Sequence, residues 1–127
     1  MRQLFKTFIL FLFVSLAPNA FGGEVSRAIF TIAMDNREPV IRVDSIDSSS
    51  FNSISFFTEL TDLQGKNITH QWMFEDKVMY EKTFNVKGTR WRVWTSKTFI
   101  PEWTGTWTVN VLDEDQSVLS TKSFDYQ

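Results

Sequence analysis

The sequence contains no cysteine and a single histidine, His70, among 127 residues. The missing cysteine excludes a disulfide framework, a thiolate metal site, a cysteine nucleophile and a lipid-modified N-terminal cysteine. One histidine without cysteine partners leaves no ligand set of the kind zinc uses. Neither sign of charge dominates: 13 basic and 15 acidic side chains give a formal charge of −2, which provides no global attraction for nucleic acid. No internal repeat or low-complexity run is present, and no G-x-S-x-G elbow exists to present a serine nucleophile. Aromatic residues, by contrast, are plentiful, with 13 Phe and five Trp. A chain that cannot cross-link itself must be held by packing, and these rings supply the material.

The long apolar run near the N-terminus is short for a membrane span. Arg2 and Lys6 make a positive start, Thr7 to Ala17 is apolar, and Pro18 to Gly22 follows, with small residues at Ala20 and Gly22. This is the pattern of a cleaved signal peptide over residues 1–22. Eleven apolar residues reach across only about half of a ~30 Å hydrocarbon core, so no membrane span is expected in the mature chain. Residues 23–127 are then one exported domain, periplasmic or secreted, of charge −4 once Arg2 and Lys6 are removed.

Within that domain, period-two alternation marks strands. It runs through Glu24 to Met34, Ser53 to Thr61, Asn67 to Glu75, Val78 to Val86, Arg90 to Lys97, Thr106 to Asp113 and Ser117 to Tyr126, with a short eighth candidate at Val40 to Val43. Asn36 to Pro39 reads as a break and Asp44 to Asn52 as a loop, because both are rich in turn formers. Val78, Tyr80, Phe84 and Val86 are expected on one side of their strand, with Lys82 at an edge. Leu119 and Phe124 have opposite parity, which calls for a bulge or register change unless one of them faces out. The stretch from Gly88 to Trp107 holds four tryptophans. It divides into a strand with Trp91, Val93 and Thr95 inward and Arg90, Arg92, Trp94 and Ser96 outward, a corner at Pro101 to Gly105, and a second strand with Trp107, Val109 and Val111 inward. Arginines are assigned outward because an unpaired buried charge is costly. The expected fold is an all-β, antiparallel, immunoglobulin-like β-sandwich of seven to eight strands. Trp72 lies mid-strand, where such a sandwich often buries a tryptophan.

The segments FFTEL (Phe56 to Leu60), ITHQW (Ile68 to Trp72), RWRVWTSK (Arg90 to Lys97), PEWTGTW (Pro101 to Trp107) and the closing VNVLDEDQSVL hairpin resemble the bacterial domain-of-unknown-function family 2914. The resemblance implies an envelope or interaction domain and transfers no catalytic residue.

The residues themselves suggest where a partner would bind. Lys82, Lys87, Arg90, Arg92 and Lys97 fall in a run without an acid, and Trp94 shares the face of Arg90 and Arg92. Arginine beside an indole can stack and bind anions. The expected contact surface is therefore Arg90, Arg92, Trp94 and Lys97 with the corner residues Glu102 and Trp103. Its partner would be an envelope protein, an anionic glycan or a lipid head group. A structural alternative has Arg90 and Arg92 pairing with a neighbouring strand's acid, such as Glu81, and covering Trp94. Three further classes compete. A carbohydrate-binding module would stack sugars on Trp94 and Trp103. An envelope hydrolase would need two of Glu59, Glu81 and Glu102 to converge, or His70 to act as base. An assembly subunit would show a free sheet edge. His70, between Ile68 and Trp72, reads as a hydrogen-bonded core or rim residue with scope for pH sensitivity. Asp113, Glu114 and Asp115 read as a solvated hairpin tip rather than a calcium site. No cofactor or metal is expected.

Overall fold

The computed structural model of the protein describes residues 22–127. The signal peptide expected over residues 1–22 therefore lies, Gly22 apart, outside the described residues. The chain forms β1 (Glu24–Thr31), β2 (Met34–Asp35), β3 (Glu38–Pro39), β4 (Ser45–Ile46), β5 (Ser53–Thr61), β6 (Asn67–Phe74), β7 (Lys77–Asn85), β8 (Arg90–Thr98), a 3-10 turn at Pro101–Trp103, β9 (Gly105–Leu112) and β10 (Val118–Tyr126). One sheet has the order β1-β5-β8, the other β4-β10-β9-β6-β7, and β2-β3 is a separate hairpin. The chain crosses between the sheets at the Pro101–Trp103 corner, where Pro101 offers no donor and Gly105 takes a φ of 138°.

Alternation places the core. Ile68, His70, Trp72 and Phe74 of β6 face Ile54, Phe56, Thr58 and Leu60 of β5, and Trp107, Val109 and Val111 of β9 join them, all buried. Trp72 is fully buried, with ring centroids of Phe30, Phe56, Phe99 and Phe124 at 6.2 to 6.5 Å. Phe74 stacks on Trp107 at 4.7 Å and 11°. Truncating a buried ring of this kind costs about 3–5 kcal/mol. That matches the 2–4 kcal/mol typical of a disulfide, so the aromatic lattice takes over the cross-link's role.

Several expectations are corrected. The sandwich is not wholly antiparallel, because Asp44–Asn52 is more than a loop: β4 within it pairs in parallel with Asp125 and Tyr126. Val40 to Val43 is no strand; only Arg42 bridges, to Thr31. Asn36 to Pro39 is more than a break: Asn36 and Arg37, both at positive φ, make a tight turn, and Glu38–Pro39 return as β3 paired with β2. In β7 a register shift leaves Met79 without a partner, so Met79 packs on the core while Val78 and Tyr80 are exposed. In β10 the shift falls at Leu119 and reconciles its parity with that of Phe124. Lys82 does lie on an edge strand.

Candidate functional site

The outer face of the β1-β5-β8 sheet collects charge by register. Arg27, Glu59 and Arg92 stand opposite one another across the three strands, and Ile29, Phe57 and Trp94 form the next row. Glu59 accepts from Arg27 Nε at 2.5 Å and from Arg90 Nε. The β2-β3 hairpin folds over this face. Its Glu38 takes a two-pronged bond from Arg27 at 2.8 and 2.9 Å and another from Arg92 at 2.6 Å. Phe57, beneath the Arg27 guanidinium at 4.8 Å, is completely buried although it points away from the core. Hydrogen bonds from Arg27 and Arg92 pull the Glu38 carboxyl down to about 2. The bond from Arg90, then that from Arg27, likewise hold Glu59 below its ordinary value despite burial. The same partners raise Arg27, which stays charged.

Arg37 completes the cluster. It sits in the left-handed region at φ 64°, uncommon for a long side chain. From there its guanidinium lies 5.5 Å from the Trp94 ring centre and donates to the Arg92 carbonyl at 3.1 Å. Four guanidinium groups (Arg27, Arg37, Arg90, Arg92) thus surround two carboxylates (Glu38, Glu59), an excess of two positive charges. Beside them a cleft of about 240 Å³ is lined by Arg37, Phe84, Arg92, Val93 and Trp94. It lies between strand β8 and the Phe84 of β7.

Of the surface expected from sequence, Arg90, Arg92 and Trp94 come together on this face. Lys97 has the opposite parity and lies at the corner, its ammonium 4.8 Å from Trp103 and 5.9 Å from Trp107. Desolvation there lowers its pKa. Trp103 is half-buried and its carbonyl accepts from Trp107 Nε1 at 2.8 Å, while Glu102 is exposed. Arg90 and Arg92 are paired, but not with Glu81, which instead accepts from Gln71 at 2.9 Å. Arg27, Arg37 and Glu38 were not legible as site residues: their bonds to β8 and β5 span 32 to 55 positions.

His70 lies in the core. It is fully buried, bonded to Thr58 through Nε2 and to Thr95 through Nδ1, each at 2.9 Å. Trp72 Nε1 donates to the same Thr95 hydroxyl at 2.9 Å. Desolvation pushes the ring down to about 3. Sealed from solvent, it has no access to a substrate. Glu59, Glu81 and Glu102 occupy the face just described, the outer face of the other sheet and the corner, so no two of these three converge for glycoside chemistry. At the Asp113–Gln116 tip, Asp113 meets Lys66 at 3.3 Å, Glu114 accepts from the Asn67 amide and Asp115 from Ser117. Among the described residues no three metal-ligating side chains gather, and no helix is long and apolar enough to cross a membrane.

The two stacked sheets, with the central tryptophan of β6 between them, define an immunoglobulin-like β-sandwich. The solved structure of an immunoglobulin-like protein from Pseudomonas aeruginosa is similar, with a TM-score of 0.56 over 83% of this chain and 96% of that one. The identity is 14%, so the likeness concerns the fold. In sequence, residues 65–126, which span β6 to β10, match the family described as "Protein of unknown function (DUF2914)", and the chain thus resembles that family. No curated protein matches the sequence.

Proposed function

We propose that the protein is a non-enzymatic binding module of the bacterial cell envelope that recognises an anionic partner on the outer face of β8. The observation that supports this most directly is the cluster of four guanidinium groups around two carboxylates, set beside a half-buried indole and an open cleft. Both carboxylates are already saturated, so the surplus charge is available to a ligand. The domain as a whole is acidic, which confines the attraction to this face.

Stacking of neutral sugars is less well supported. Arg37 lies over the Trp94 ring and Lys97 over that of Trp103, so neither offers the bare aromatic face a pyranose needs. The corner, with Glu102 and Trp103, borders the surface rather than forming its centre.

Array binding of the mature protein to acidic peptides, anionic glycans and neutral sugars, alongside Arg92→Ala/Trp94→Ala, tests the reading. Expected is binding to anionic members only, lost in the double variant while its cooperative melt is retained. Binding confined to neutral sugars would transfer the assignment to the carbohydrate class. Absence of any salt-sensitive binding would refute it.

A further inference from the structure

The hydrogen-bond phase of β8 shows which of its backbone groups lack a partner. The Asp62 amide donates to the Thr89 carbonyl at 2.8 Å, and the Phe99 amide to Asn52 at 2.7 Å. Both pairs continue the β5-β8 register in which Thr61 faces Arg90 and Ser53 faces Thr98. Bonded and non-bonded pairs alternate in an antiparallel ladder. Trp91, Val93, Thr95 and Lys97 therefore bond to β5, whereas Arg90, Arg92, Trp94, Ser96 and Thr98 turn their amides and carbonyls away from it. Among the described residues, β8 pairs with β5 alone.

The other sheet margins are blunted. β7 carries the Met79 irregularity, β1 has a shift between Val25 and Arg27, and β4 is two residues long. These are common protections against strand pairing. β8 has neither defect: nine residues run in unbroken register. One of its outward carbonyls, that of Arg92, is already occupied by a guanidinium N–H from Arg37, the same bond an incoming strand's amide would make.

We propose that β8 receives an extended acidic peptide from a partner protein as an added antiparallel or parallel strand, with Arg37 yielding its place on the Arg92 carbonyl. This rests on the anion-binding reading above and specifies its ligand. Side chains of an added strand alternate in direction. One set would continue the outer row of Arg90, Arg92 and Trp94, where carboxylates meet the surplus guanidinium charge. The other would enter the cleft over Phe84 and Val93, where apolar groups fit. The motif is thus acidic and apolar residues in alternation. A second copy of this chain fits less well, because edge-to-edge pairing sets two positively charged faces side by side.

The probe is a capped peptide alternating glutamate with valine, titrated into the mature protein and followed by amide hydrogen exchange and chemical shift. Its controls are the same peptide methylated on every backbone nitrogen and a lysine–valine counterpart. Expected is slowed exchange at the Arg90, Arg92, Trp94, Ser96 and Thr98 amides, with binding at least about tenfold weaker for either control. Equal binding of the methylated peptide would overturn strand addition and leave the anion surface standing. Equal binding of the lysine peptide would overturn the acidic specificity. Self-association through these amides in dilute buffer without peptide would overturn it in favour of a second copy. Failure of every probe to bind would overturn it as well, and anion binding on the array would then decide the broader reading separately.

Discussion

Lowering the pH from 7 to 5 should cost the folded protein about 2 kcal/mol through His70 alone. The ring stays neutral in the native state until about pH 3, because it is buried between Phe56 and Phe84 with only hydroxyls as partners. In the unfolded chain it takes a proton near 6.5. Between those values the unfolded state binds one more proton, so stability rises with pH by up to about 1.4 kcal/mol per unit, and falls no further from this source below about 3. Glu38 and Glu59 act in a different window. Their native values are depressed, so their contribution is complete above about 4.5 and is lost only as pH falls through lower values. The interval from pH 5 to 7 therefore isolates the histidine. Urea unfolding followed by tryptophan fluorescence at pH 5, 6 and 7 measures the slope. His70→Gln keeps a donor and an acceptor for Thr58 and Thr95 but cannot charge; it should be less stable at pH 7 by about 1–3 kcal/mol and nearly flat over the interval. An unchanged slope in this variant, or a native His70 resonance titrating near 6.5, would refute the reasoning.

Thr95→Val removes the hydroxyl shared by Trp72 and His70 and strands two buried ring nitrogens. It should lower stability by about 2–3 kcal/mol in the same urea assay. Gly105→Ala combines a φ of 138° with a new Cβ 3.2 Å from the Phe74 ring, and should cost about 1–3 kcal/mol in a thermal melt. Glu38→Gln releases Arg27 and Arg92 and raises the surplus on the face from two positive charges to three. It should speed amide exchange across residues 34–39 with little change in melting temperature, and tighten binding of an acidic peptide measured by calorimetry.

Where the sequence was informative, it was through unbroken period two. The inward sets of β6 and β9 and the two faces of β8 followed from alternation alone, since a one-residue slip would have sent Trp72, Trp107 or Arg92 to the wrong environment. Two-residue elements show no period, so β4 and the β2-β3 hairpin were invisible. Bulges reverse parity, which is why alternation puts Val78 on the face of Phe84 although it stands opposite Met73; Tyr80, beyond the bulge, stands opposite Trp72 on the same face as Phe84. Of the charge cluster, only the part on β8 could be read. The carboxylate partner of Arg92 lies on the hairpin and one of the two partners of Glu59 on β1, brought there by strand order rather than spacing, and Arg37 reaches β8 only because a tight turn holds it at positive φ.

The guanidinium fringe on β8 makes dissolved electrolyte a control over crowding between molecules. Ions shorten the reach of that repulsion to about 3 Å at molar strength without removing peptide hydrogen bonding. A concentrated brine should therefore draw domains together in twos, whereas dilute buffer keeps them single. Growth stops at the couple, since the opposite margin of that sheet, β1, is interrupted between Val25 and Arg27 and offers no second ribbon on which to build a filament.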